Sequence, residues 1–146
     1  MTSESGPYLK AAVFCDEVIE GKDGVLSLIR VVDRLIITAA GHDAPPSMPP
    51  TRHRLKLVLM LVSGRARGTQ SIQVSVEAPS GKVSPLWETT ALLEGEDRGA
   101  NIVAVLDYEF AHEGVYWFYV KLEGEQLTRL PFRILYQRVA PGTRLA

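Results

Sequence analysis

Apolar and polar residues alternate with a period of two along almost the whole chain, and Gly, Pro and Asp clusters break the alternation at short intervals. Side chains on a strand point alternately to opposite faces, so the pattern calls for many short strands, each with one face turned to a core. Such a run of strands and turns folds as a β-sandwich or a barrel. No stretch of about ten residues repeats its apolar positions every 3.6 residues, which argues against helices. In "SIQVSVEA", Ile72, Val74 and Val76 point one way and Gln73, Ser75 and Glu77 the other. "NIVAVLDYEF" places Ile102, Ala104, Leu106, Tyr108 and Phe110 on one face.

Other segments refine the reading. "HRLKLVLMLVS" is apolar at both parities after Lys56, as expected of a central strand covered on both faces, and the "GRARG" turn is expected to fold it back onto 69–78. "VYWFYVKLEGEQLTRLPFRILYQ" reads as a closing hairpin that turns at Glu123, Gly124 and Glu125. The expected strands cover 8–18, 25–39, 53–63, 70–78, 84–93, 101–110, 115–122 and 127–137. The fold expected is all-β: an antiparallel β-sandwich of Greek-key type with about eight strands. "GHDAPPSMPPTR", 41–52, holds four prolines, which remove backbone donors, so it is a crossover loop and not a strand. "EGEDRGA", 94–100, is a charged loop. No internal repeat or linker divides the chain, so 7–138 is expected to be one domain, with 1–6 and 139–146 as loose tails.

Composition narrows the function. With 146 residues, 46% of them apolar, the chain is long enough to bury a core without a staple. A net charge of −1 supplies no field to draw it onto nucleic acid or an anionic membrane, and no partner of either kind is expected. Arg52, Arg54 and Lys56 precede the central strand while Arg65 and Arg67 follow it, so the basic residues do not form one patch. One cysteine allows no internal disulfide, and "MTSESGPYLK" lacks the basic start and apolar core of a secretory signal; the expected compartment is the cytoplasm. The apolar run 57–62 is far shorter than the ~20 residues a membrane helix needs.

Enzyme motifs are missing. His42, His53 and His112 lie on three separate segments without metal-ligand spacing, no phosphate-binding loop or nucleophile elbow occurs, and no cofactor is expected. Cys15 has no histidine near it in sequence and reads as a half-buried strand residue. The acidic turn around Asp16, Glu20 and Asp23 does not follow the helix-loop-helix calcium pattern, because Val18 stands at the third position. An alternative function is a small-molecule or calcium site at one end of the sandwich, where these three would meet Glu94, Glu96 and Asp97. The closing hairpin gives the leading expectation. If Tyr116, Phe118, Val120 and Leu122 face the core, then Trp117, Tyr119 and Lys121 share the outer face, where two large aromatics imply cover by a loop or by a partner. The function expected is a non-catalytic protein-interaction or self-association module, a homodimer meeting through Trp117, Tyr119 and Lys121 or through an exposed edge strand, with 8–18 and 127–137 as the natural edges.

Three segments, "AAVFCDEVIEGKDGVLSLIRVVDRL", "PPTRHRLKLVLMLVSG" with "IQVSVEAPSGKV", and "EGVYWFYVKLEGEQLTRLPFRI", together resemble a family of small uncharacterised bacterial proteins over residues 8–137. The resemblance implies an immunoglobulin-like or similar β-sandwich and carries no activity or binding residues. The "GVYWFYV" strand is also similar to the G-x-Y strand of immunoglobulin-like modules, in which glycine makes the turn and the aromatic enters the core.

Overall fold

The computed structural model describes residues 6–140. Nine strands follow one another: β1 (Tyr8–Glu20), β2 (Leu26–Val32), β3 (Arg34–Ala40), β4 (Thr51–Val62), β5 (Arg67–Glu77), β6 (Val83–Glu94), β7 (Gly99–Phe110), β8 (Gly114–Leu122) and β9 (Glu125–Val139). They form two layers, a four-stranded sheet A in the order β2-β1-β4-β7 and a five-stranded sheet B in the order β3-β9-β8-β5-β6. All neighbours are antiparallel except β3 and β9, which run parallel.

The alternation read from the sequence turns one face of each sheet into a shared core. Leu55, Leu57, Leu59 and Leu61 of β4 meet Ile72, Val74 and Val76 of β5 and Phe118 and Val120 of β8 there. Phe14 packs edge-on against Phe118 at 5.0 Å and Phe132 at 5.2 Å. The quadrupoles of aromatic rings favour such T-shaped contacts over face-to-face stacking. β4 lies in the middle of sheet A, between β1 and β7, as its apolar run predicts.

Four expectations about connectivity are corrected. The "GRARG" segment does not close a hairpin: β4 pairs β1 and β7, whereas β5 pairs β6 and β8, so the link carries the chain from sheet A to sheet B. Backbone bonds hold it against the charged loop instead, Ser63 N–H donating to Arg98 O at 2.9 Å and Asp97 N–H to Gly64 O at 3.0 Å. The run 25–39 is two strands, because the chain leaves sheet A at Asp33 and enters sheet B as β3. The strands containing 8–18 and 127–137 are not edges: β1 lies between β2 and β4, and β9 between β3 and β8. Finally, the ordered chain extends beyond 7–138, since Gly6 is buried and Val139 pairs with Ala40; the remaining tail residues, 1–5 and 141–146, lie outside the described residues.

β1, β4 and β7 take the places of strands A, B and E of an immunoglobulin-like domain, and β9-β8-β5-β6 those of G-F-C-C′. Tyr116, near the start of β8, supplies the corner found at this point of such domains. Its hydroxyl donates to His112 O at 2.7 Å and accepts from His112 N–H at 3.2 Å, while the ring is buried against Phe110 at 4.9 Å. Gly114 opens the strand at φ +134°, and a Cβ there would come within 2.7 Å of Pro79 Cγ. The G-x-Y reading of this strand is therefore correct in both its parts.

Candidate functional site

The alternative of an acidic end site fails on geometry. Glu20 and Asp23 lie at the β1–β2 turn, beyond the Cys15–Lys56 pairing, whereas Asp97 lies past the Val62–Gly99 pairing at the other end of sheet A. The 12-residue β4 runs between those ends, which at about 3.3 Å per residue places them roughly 40 Å apart. The remaining acids have partners: Asp16 binds Arg30, Glu94 binds Arg98 at 3.0 Å, Glu96 binds Arg98 at 3.2 Å, and Asp23 accepts the N–H of Val25 at 3.1 Å. Among the described residues no three His, Cys, Asp or Glu side chains come together as a metal site.

Trp117, Tyr119 and Lys121 do share the outer face of sheet B, with Tyr116, Phe118, Val120 and Leu122 buried, so the parity expected of β8 holds. Among the described residues their cover comes from neighbouring strands of the same sheet. Arg129, opposite Tyr119 on β9, lays its guanidinium 4.4 Å from the centre of the Trp117 ring. Glu77, opposite Trp117 on β5, accepts the Tyr119 hydroxyl at 2.7 Å. That hydrogen bond is the main reason the Tyr119 pKa is raised, with desolvation and the carboxylate charge adding to it. The aromatics sit half-buried within a ladder of their own sheet, a cation–π contact on one side and a hydroxyl–carboxylate bond on the other. Lys121 is exposed beside them.

The outer face of sheet A differs in composition. Val13, Cys15, Val31, Val58, Met60, Val103 and Val105 all point away from the core, since their strand neighbours Phe14, Val32, Leu57, Leu59 and Ala104 point into it. The register lines them up across the sheet: Val13 faces Val58, which faces Val103, and Val31 faces Cys15, which faces Lys56, which faces Val105. Val31 and Val105, at the ends of the second row, are 60% and 45% exposed, whereas Cys15 within it and Val58 in the first row are 0% and 1%.

Charge begins at Lys56 and continues along β4 toward its start, where Arg54 is exposed and in no ion pair among the described residues. Lys56 binds Glu17, whose pKa is lowered chiefly by that bond, and Arg52 binds Asp107 at 3.1 Å. Cys15 lies beneath, and burial pushes its thiol pKa up against the opposing pull of Lys56. A thiol expected to be half-buried is wholly so, which removes it as a nucleophile at neutral pH. The sequence carried a signal for this face in the both-parity apolar runs "AAVFC" and "LVLMLV". Only the register shows that their outward residues meet across strands with no further layer of described residues upon them.

Among the solved structures similar to this chain are three that share 14% identity with it or less. They are an alkylpurine DNA glycosylase, AlkC, of Pseudomonas fluorescens bound to DNA containing an abasic site analog (TM-score 0.40, 14% identity, 70% of this chain and 27% of that one); the CARDB domain of the PF1109 protein of Pyrococcus furiosus in complex with di-metal ions (TM-score 0.41, 7% identity, 92% and 98%); and an immunoglobulin-like protein, PA1606, of Pseudomonas aeruginosa (TM-score 0.39, 13% identity, 91% and 99%). The chain thus spans only about a quarter of the glycosylase. No curated protein matches it. Its β-sandwich, with the glycine turn and buried tyrosine that open β8, is that of a protein matched over residues 10–135 by one family, and the chain belongs to it: the family of unknown function DUF6941.

Proposed function

We propose that this chain is a non-catalytic interaction module that works by binding another protein through the outer face of sheet A. The observation that carries the reading is the apolar surface of Val13, Val58, Met60 and Val103, which Val31 and Val105 extend on either side of Cys15 and Lys56. Its occupant is a flat apolar protein surface lying on the sheet as a third layer, about 10 Å away as sheets pack. Because the bordering Lys56 and Arg52 are already paired with Glu17 and Asp107, they offer no strong field, and the partner is selected by shape and apolar contact. The Trp117 and Tyr119 face is the weaker candidate, since the Trp117 ring already carries Arg129 and the Tyr119 hydroxyl is bound by Glu77 within the sheet.

The test uses the chain in the cells that make it, with the variant Val31→Asp/Val105→Asp compared by native size separation of cell extract. The expected result is a wild-type complex larger than the purified protein, which collapses to the purified size in the double variant and persists in Trp117→Ala. A wild-type chain that elutes in extract as it does when pure overturns the reading.

A further inference from the structure

Independently of the sheet A face, β3 ends sheet B with an unguarded edge. Asp33 O accepts from Arg133 N–H at 3.1 Å and Gly41 N–H donates to Val139 O at 3.2 Å, so the odd residues of this stretch direct their backbone groups to β9. The even residues, Arg34, Ile36, Thr38 and Ala40, must then direct their N–H and C=O groups the other way, where no strand lies among the described residues. Edges are normally blunted by charge, proline or a bulge. The other three edge strands have such devices: Arg30 at φ +57° in β2, Pro85 beside a register shift in β6, and the charged Asp107 and Glu109 in β7. β3 keeps unbroken register with β9 over all seven residues and is uncharged from Leu35 to Ala40.

We infer that this edge pairs with the same edge of a second copy, antiparallel about a two-fold axis at Ile37. Ile36 then faces Thr38 of the other copy and Arg34 faces Ala40, so that all four outward-directed residues exchange bonds, about eight in all. A register centred on Ile36 or Thr38 leaves one of the four unpaired. The axis brings Ile37 against its own copy, about 4.5 Å apart in the wider-spaced pair, and sets Leu35 against Ala39. Leu35 and Ile37 already line the rim of the core, so the pairing closes the core's open side. The strand's one charge, Arg34, meets an alanine instead of a second arginine, and nothing in the register repels. The two five-stranded sheets become one continuous sheet.

The test combines mass with covalent trapping in a Cys15→Ala background. Light scattering on a dilution series from about 100 µM is expected to show a dimer, since even a micromolar complex is populated there. Thr38→Pro, at an edge position whose N–H faces outward and is therefore dispensable to the monomer, is expected to raise the dimer dissociation constant at least tenfold. Ile36→Cys and Thr38→Cys, oxidised after mixing, are expected to give a cross-linked dimer. Opposed residues of that pair lie ~5.5 Å apart at Cα, within disulfide reach, while each variant alone is offset by two residues and stays uncross-linked. A monomer mass throughout overturns the inference. So does a dimer that cross-links no better after mixing than before, and neither result touches the sheet A face, whose partner is a different protein.

Discussion

The outer faces of sheets A and B are made by the same alternation of strand residues, yet they solve exposure in opposite ways. On sheet B the large side chains are aromatic, and each has a polar partner one strand away: Arg129 over the Trp117 ring, Glu77 on the Tyr119 hydroxyl. On sheet A the rows at Val58 and Cys15 consist, Lys56 apart, of valines and a cysteine, which have nothing to offer a neighbour but contact. The first face has partners within the single chain, and the second has mainly apolar contact to offer, worth about 25 cal/mol per Å² of apolar surface removed from water.

Mutations sharpen that contrast, beginning with the core that both faces share. Phe118→Ala, between the two aromatic outer residues but pointing inward, is expected to cost about 3–5 kcal/mol in denaturant unfolding. Trp117→Ala removes a half-buried ring and its cation–π partner, and a loss of about 1–2 kcal/mol is expected. The pair Val31→Asp/Val105→Asp on the open face is expected to change stability by about 1 kcal/mol or less, because neither side chain is packed into the core. If the valine pair proves costlier than Trp117→Ala, the open face belongs to the folding of the single chain and the contrast is lost.

Titration gives a smaller effect on the same question. The Glu77 carboxylate holds the Tyr119 proton, so the folded pKa lies above the ordinary value of 10.0. The bond's contribution is fully present below that value and is lost as pH rises through the folded pKa. Ultraviolet absorbance is expected to show two late-ionising tyrosines, of which Tyr119 moves back toward the ordinary range in Glu77→Gln while Tyr108, raised mainly by burial, stays where it was. On sheet A the sign reverses. Glu17, held below the usual 4.5 by Lys56, contributes above that value and loses its contribution as pH falls through the folded pKa. Lys56→Met is expected to flatten acid unfolding only slightly, since the carboxylate is exposed to solvent.

Much of this was legible in the residues themselves. Period two placed the cores of β5, β7 and β8 correctly, and the glycine turns at 21–25 and 123–125 set two hairpins. What escaped was the choice of sheet. Turn chemistry at "GRARG" says that the chain bends, but not whether the next strand returns beside the last or crosses to the opposite layer, which depends on long-range pairing. The break at Asp33 was hidden for the same reason: apolar residues continue on both sides of it, because both strands face the one core from opposite layers. The parity of Trp117 was readable, whereas its cover was not, because Arg129 and Glu77 become its neighbours only through the register of three strands.

The contrast between the faces is decided most directly by a photo-reactive residue placed in living cells, once at Val105 on sheet A and once at Lys121 on sheet B. A discrete protein adduct from position 105, abolished by Val31→Asp and absent from position 121, is the predicted result. An adduct from position 121 with none from position 105 would contradict it and return the binding role to the Trp117 and Tyr119 face.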